Sequence, residues 1–191
     1  MRSFVLTQIE PGRAEPLGLA ERVARGDAEA FEVLVALYQP RVTRLAHRLL
    51  GWSGEVEDVV QDVFLAVLKH RRGYRRNATL WTWLTAITLN TCRSHSRRRG
   101  LLRKLTSVFV SPRVATAADA EPIQDELARE VRSAVAALPS RDREAIVLFY
   151  LEHRTVSEMS HVLNASANAI DVRLHRARAK LRQSLQHLME G

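Results

Sequence analysis

Five cations, Arg173, Arg176, Arg178, Lys180 and Arg182, punctuate the last periodic stretch of this chain. Leu174, Ala177 and Leu181 recur three or four residues apart among them. A helix with that pattern buries one side and offers guanidinium forks on the rest. Upstream, Val156, Met159, Val162 and Leu163 give Thr155–Leu163 the face of a supporting helix, and Asn164-Ala165-Ser166 reads as the turn. Asn164 tolerates the left-handed backbone such a turn needs. Ser166 can cap the following helix and leave its first amides for a phosphate. Helix, turn and basic helix in that order fit the DNA major groove, where amides, carboxylates and guanidiniums read base edges. The partner indicated is nucleic acid.

A second set of chemically able residues lies in the first half. Tyr74, Arg75, Arg76 and Asn77 form a basic loop with an aromatic, followed by Trp81, Asn90 and the run Arg93, Arg97, Arg98, Arg99, Arg103, Lys104. Glu55, Glu57, Asp58 and Asp62 gather on the preceding stretch, where no Lys or Arg occurs between Leu49 and Leu68. Acids in a first helical turn favour the helix dipole. That accounts for Glu55 through Asp58 and leaves Gln61 and Asp62 unexplained.

The elements that position these residues read as helices throughout. A short helix is expected over Leu17–Arg25, ended by Gly26, with Asp27 capping the next. Phe31, Leu34, Val35 and Tyr38 carry its apolar side; Pro40 should break or kink it before Val42, Leu45, Ala46 and Leu49 continue the stripe. Gly51–Gly54 is a turn, and Val56, Val59, Val60, Val63, Phe64 and Val67 mark a helix over Glu55–His70. Thr79 caps a long helix reaching Arg99, in which Leu80, Trp83, Leu84 and Ile87 make the core stripe. Trp81 points elsewhere, as an exposed aromatic. Periodicity stops between about Thr106 and Pro122, as in a flexible linker. It resumes at Ile123–Leu138, then in a helix capped by Ser140 that ends near Leu151, and finally in Thr155–Leu163 and Ser166–Met189. The expected fold is all-α: two small helical domains joined by a flexible linker, the C-terminal one a helix-turn-helix. The expected boundaries are 1–25 for an N-terminal extension with a short helix, 26–104 for the first domain, 105–122 for the linker and 123–191 for the second domain.

Charge agrees with a polyanionic partner. The 191 residues carry a formal net charge of +8. Residues 1–104 hold 18 Lys/Arg against 10 Asp/Glu, and the positive charge of the second half follows Asp171. One cysteine excludes a disulfide framework and makes a reducing cytoplasm the default. The N-terminus lacks the sustained apolar run of a signal peptide or membrane span, so the chain is not expected to be a membrane protein. Nothing points to an enzyme. No Gly-rich phosphate loop occurs, and Cys92-Arg-Ser-His95 is the only close Cys/His pair, two ligands where structural zinc needs four. No cofactor or metal is expected, and Cys92 reads as a small buried hydrophobe.

The ordered motifs Asp58-Val-Val-Gln61-Asp62-Val-Phe64, Leu80-Trp-Thr-Trp83-Leu84-Thr-Ala-Ile87-Thr-Leu-Asn90, Leu138-Pro139 and Arg173-Leu-His-Arg176-Ala-Arg178 resemble the extracytoplasmic-function sigma factors. These bacterial initiation factors retain the second and fourth conserved regions of larger sigma factors. The match covers roughly 26–99 and 123–185. The resemblance implies that Asp58, Gln61, Asp62 and Leu65 dock on the clamp helices of the largest subunit of the bacterial RNA polymerase core, and that the C-terminal domain meets the flap. It places Tyr74, Arg75, Arg76, Asn77, Trp81, Asn90, Arg93, Arg97 and Arg98 at the −10 element. An extruded base there needs a pocket to replace its lost stacking. It places Arg143, Ser166, Asn168, Asp171, Arg173, His175, Arg176 and Arg178 at the −35 element of promoter DNA. It also implies control by an anti-sigma factor, which can be membrane-bound.

Two positions depart from the family pattern. Trp81 stands where a basic residue is usual, free either to stack on an unpaired base or to cover the linker. Asp171 replaces Lys or Arg; a carboxylate there can accept from cytosine N4, or hold Arg173, Arg178 or His175 in place. Two other readings remain open: a free-standing helix-turn-helix regulator that does not use polymerase, and a decoy that binds polymerase without initiating.

Overall fold

The structure, a computed structural model, describes residues 18–52, 56–74, 79–106 and 126–188, with the backbone alone for 103–106. The expected linker at 105–122, the loop residues Arg75, Arg76 and Asn77, and Met189 lie outside these stretches apart from the backbone of 105 and 106. All regular structure among the described residues is helical: α1 (Leu19–Arg25), α2 (Ala28–Leu50), α3 (Val56–His70), α4 (Leu80–Thr106), α5 (Glu126–Ala137), α6 (Ser140–Ile146), α7 (Val156–Leu163) and α8 (Ala167–Ser184). A wider turn, Val147–Leu151, prolongs α6, and short 3-10 turns follow α3 and α8.

Caps set most of the boundaries. Gly26 (φ 88°) ends α1, and the Asp27 carboxylate accepts from the Ala30 amide at 3.1 Å to start α2. Thr79 Oγ1 accepts from Thr82 N at 3.1 Å at the head of α4. Thr155 and Glu158 form a reciprocal capping box on α7, and Asn164 ends that helix at φ 49°. Ser166 caps α8 through the Ala169 amide at 3.2 Å.

Three expectations about the elements need correction. Pro40 does not break α2, which runs on to Leu50. A proline inside a helix costs about 3 kcal/mol. Ala30 and Leu34 before it, and Val42, Leu45, Ala46 and Leu49 after it, are all buried, and each large apolar side chain contributes about 1.5–3 kcal/mol in return. Helix α4 extends past Arg99 and Gly100 to Thr106, since an isolated glycine costs a helix only about 1 kcal/mol. Ser140 does not cap α6. Pro139 takes the cap position with extended backbone, and its carbonyl accepts from the Asp142 and Arg143 amides at 2.9 Å.

The core is one continuous cluster. Helices α1–α4 pack around Leu34, Leu45, Val59, Val63 and Leu84, while α5–α8 pack around Leu148, Met159, Ile170 and Leu174. The two groups also touch: α4 lies against α7, and α2 against α6. Helix α4 is therefore covered on two faces, which corrects the reading of its tryptophans. Trp81 is only 6% exposed, whereas Trp83 is half-buried and packs edge-on to Tyr74 with ring centroids 5.4 Å apart. The second buried face carries Thr82, Thr85 and Thr88. Thr85 and Thr88 donate back to the Trp81 and Leu84 carbonyls at 2.7 and 2.8 Å, which lets hydroxyls sit in an apolar seam.

Helix α6 is locked to α8 by one buried carboxylate. Asp142, 1% exposed, accepts from Arg176 Nε and Nη2 at 3.1 and 2.9 Å and from Lys180 Nζ at 2.7 Å. Burial alone would raise its pKa, but the hydrogen bonds from Lys180 and Arg176 outweigh it and hold the carboxyl below its ordinary value. A depressed carboxylate contributes stability above its unfolded pKa and loses it as pH falls through the folded one. Asp142→Asn is expected to cost about 2–3 kcal/mol at neutral pH, below the range for a fully buried pair because both cation heads are partly in water. Urea unfolding of wild type and variant should show that gap narrowing as pH drops below about 4.

Candidate nucleic-acid interface

The residues expected to dock on polymerase lie together on one exposed flank. Asp58, Gln61 and Asp62 are exposed along α3, beside a Leu65 that is 62% exposed. The opposite side of the helix, from Val56 to Val67, is wholly in the core. Neither carboxylate has an ion pair among the described residues, so a strip of negative charge with an apolar knob faces outward.

The expected −10 residues divide into two groups. Asn90, Arg97 and Arg98 are exposed on α4, with Arg97 Nη2 donating to Ser94 Oγ at 3.1 Å. Tyr74 is half-buried over Trp83, so its ring is held in position at the start of the loop. Arg93, by contrast, faces α5–α8, and Trp81 lies between α2 and that group. Arg93 donates from Nε and Nη2 to the two oxygens of Glu144 at 2.9 and 2.6 Å. Trp81 stacks on Tyr38 with rings 6.1 Å apart and nearly parallel, under the Arg41 guanidinium at 4.0 Å. The Arg154 guanidinium approaches the same ring to 5.9 Å and donates to Thr82 Oγ1 at 3.2 Å. In this arrangement Trp81 is a buried seam residue.

The expected −35 residues also divide. Asn168, Asp171 and His175 stand on the outward side of α8, and Ser166 is engaged as its cap. Asp171 makes no hydrogen bond or ion pair to Arg173, Arg178 or His175 among the described residues. Arg176 is tied to Asp142, and Arg178 Nε donates to the Tyr150 hydroxyl at 2.8 Å. Arg173 lines a cleft of about 580 Å³ between the two helical groups, together with Arg97, Arg141, Leu89, Leu163 and Cys92. Arg143, expected at the DNA backbone, is committed elsewhere. It donates to the Leu49 carbonyl at 3.0 Å and to those of Ala136 and Leu138 at 2.7 and 3.1 Å, where it closes the end of α5.

Sequence reasoning missed Val172. It lies four residues after Asn168 and three before His175, is 54% exposed, and shares the outward side of α8. The signal was present: a branched apolar residue out of step with the Leu174–Ala177 stripe. It also missed the seam partners Glu144 and Arg154, whose roles depend on contacts more than fifty residues away.

Burial pushes the Cys92 thiol up to about 12, so it is neither a ready ligand nor a ready nucleophile at neutral pH. Among the described residues no three of His, Cys, Asp and Glu are grouped to hold a metal. No helix among them is long and apolar enough to cross a membrane.

Residues 34–101 match the family model for sigma-70 region 2, and residues 128–181 that for sigma-70 region 4. The chain is 33% identical over 184 residues to the ECF RNA polymerase sigma factor SigE of Mycolicibacterium smegmatis, covering 93% of this chain and 70% of that one. Among solved structures it resembles CnrH in complex with the cytosolic domain of CnrY, at 30% identity and a TM-score of 0.63 over 88% of this chain and 96% of that one. The same fold occurs in the sigma factor RpoE of Bartonella quintana, solved with the anti-sigma factor NepR, at 22% identity and a TM-score of 0.70 over 83% of this chain and 98% of that one. With both family models matched in order along the chain and a relative 33% identical over 93% of it, this chain belongs to the extracytoplasmic-function RNA polymerase sigma factors.

Proposed function

We propose that the chain works as an alternative sigma factor in the bacterial cytoplasm, without catalysis of its own. Helix α3 docks on the clamp helices of the largest subunit of core RNA polymerase through Asp58, Gln61, Asp62 and Leu65, and the C-terminal group meets the flap. The observation that carries this reading is the α3 flank: a solvated acidic strip with an exposed leucine, backed by a fully buried opposite side. An apolar knob ringed by charge is the form of an interaction site rather than of a merely soluble face.

At the −10 element, Tyr74 and Asn90 supply the aromatic and amide that an unstacked base needs, with the loop residues Arg75, Arg76 and Asn77 beside them. Arg97 and Arg98 follow the strand backbone by charge, without sequence choice. At the −35 element the outward side of α8 presents an amide (Asn168), a carboxylate (Asp171), a branched apolar group (Val172) and an imidazole (His175). Arg176 and Arg178 are tethered within the domain, so base discrimination falls mainly on those four, with Ser166 and the first α8 amides on phosphate and Arg173 at the edge of the cleft. An apolar side chain in the major groove reads the thymine methyl, and a carboxylate the cytosine amine. CnrH and RpoE, each solved with a bound partner, support control of this chain by an anti-sigma factor, which can be membrane-bound.

Three measurements test the reading. Run-off transcription with purified core polymerase on the DNA upstream of this chain's gene should give a defined transcript, weakened at least about tenfold by Asp62→Ala, the equivalent of one lost hot-spot contact. Absence of core binding would instead favour a free-standing helix-turn-helix regulator. Replacing each −35 thymine by uracil should weaken wild-type holoenzyme at one position by about 1 kcal/mol, with Val172→Ala insensitive at that position. Equal sensitivity of the two proteins would remove Val172 from the reading face. Arg98→Ala should weaken binding to every promoter and lower the slope of log affinity against log salt by about 1.

A further inference from the structure

We infer that α1 and the corner at Gly26 brace the segment that opens the −10 loop, and that Arg71 is the positioning residue through which they do so. The inference rests on the assignment of Tyr74 to the −10 element. Helix α1 lies ahead of residues 34–101, the stretch matched to sigma-70 region 2, and none of the docking or DNA contacts proposed above uses it. It is seven residues long, too short to be stable by itself. Burial of Leu19, Ala20 and Val23 holds it where it packs on α2 and on the 3-10 turn Arg71–Gly73. The corner that follows is clamped. Gly26 N donates to the Val23 carbonyl at 2.9 Å, and Arg22 donates to the Asp27 carboxylate at 2.7 Å and to that of Glu29 at 3.2 Å.

Arg71 reaches this corner from the end of α3. Its Nη1 donates to the Leu68 carbonyl at 2.6 Å, which satisfies one of the last acceptors of α3. Its Nε and Nη2 lie 3.4 and 3.6 Å from where a Cβ on Gly26 would stand. Gly26 sits at φ 88°, a conformation that favours glycine, so the guanidinium rests against bare backbone. Arg71 Nε is buried there without a hydrogen-bond partner. An aliphatic side chain would fill the same space without an orphaned donor, but it could not bond Leu68. The turn held in this way carries Tyr74, whose amide donates to the Arg71 carbonyl at 3.4 Å and whose ring meets Trp83 edge-on. A tether is needed at this point because Arg71, Arg72, Arg75 and Arg76 crowd like charge into six residues, which pushes the segment apart. The order of dependence is the Gly26 corner, then Arg71, then the turn, then Tyr74.

The test uses the full chain with core polymerase and two DNA single strands, one selected from a random pool by wild-type holoenzyme and one a scrambled version of it. Arg71→Met keeps the apolar stem and loses the bond to Leu68, while Gly26→Ala disturbs the corner from the other side. Each variant is expected to bind the selected strand about tenfold more weakly, the scale of one charge-assisted hydrogen bond, and the scrambled strand as wild type does. The double variant should lose no more than either single one, because both break one chain of contacts. Core affinity and circular dichroism should match wild type, and if one variant fails to fold the other carries the comparison. In the free chain, hydrogen exchange at the Gly73 and Tyr74 amides should quicken about tenfold in both variants, with α5–α8 unaffected. Equal weakening on both strands, with the salt slope lower by about 1 for Arg71→Met, would make Arg71 a phosphate contact and overturn the inference. Unchanged selectivity, or unchanged exchange, in the folded variants would also overturn it. If wild-type holoenzyme selects no strand, the −10 assignment of Tyr74 falls, and the exchange comparison alone decides whether Arg71 and Gly26 hold the turn.

Discussion

Much of this structure depends on α4 being buried from two sides. Against α2 and α3 it sets Leu80, Leu84 and Leu89, an ordinary apolar stripe. Toward the C-terminal group it sets Thr82 and Thr85, which Arg154 reaches, beside a Trp81 that Tyr38 and Arg41 of α2 also cover, and the charged groups on this face have to be paired. Arg154 meets that requirement in part, bonding Glu158 at 2.7 Å and Thr82 at 3.2 Å. Its Nη2 reaches Thr85 Oγ1 at 3.5 Å, and its Nε is unpaired. A helix wedged in this way fixes the angle of Asn90, Arg97 and Arg98 to the rest of the molecule, and so decides which way the basic run faces.

The same economy governs the recognition helix. Asp142 anchors Arg176 and Lys180, and Tyr150 anchors Arg178, so cations that look available along the sequence are structural ties between α6 and α8. Helix α8 has few apolar anchors (Ile170, Leu174 and Ala177 are its buried residues), and the ties compensate for that small footprint. The consequence is an outward surface with one amide, one carboxylate, one valine and one imidazole, Asn168, Asp171, Val172 and His175. Under the proposed −35 role, such a surface would discriminate through methyl and amine groups more than through the arginine–guanine pairing that is commonest in major-groove readout.

Periodicity and caps made most elements legible before any coordinates. Asp27, Thr79, Thr155, Asn164 and Ser166 stand at the helix ends where their chemistry puts them, and the buried faces of α3 and α8 follow the 3.6-residue repeat. What escaped was long-range. Pro40 reads as a breaker because local rules weigh one missing donor and cannot weigh the burial on either side of it. Trp81 reads as exposed because a single stripe was sought on a helix that has two, the second disguised by threonines bonded to their own carbonyls. The sequence gives no sign that Arg143 and Arg176 are hydrogen-bonded within the chain, because a free guanidinium and a tethered one are spelled alike; their partners Leu49, Ala136 and Asp142 lie at a distance along it. The acidic flank of α3 needed no such distant partner, and its exposure follows directly from the acids flanking a continuous valine stripe.

The energetic balance of the seam between the two helical groups follows from the same contacts. A charge-assisted, two-point pair such as Arg93–Glu144 contributes about 1.5–3 kcal/mol, and the Arg48–Glu152 strap less, because Arg48 reaches that carboxylate through one nitrogen where Arg93 uses two. Each unpaired buried donor, Trp81 Nε1 and Arg154 Nε, offsets about 1–3 kcal/mol. The polar contribution to the seam is therefore near zero, and the packing of the two helical groups against each other rests on the apolar side chains buried around it.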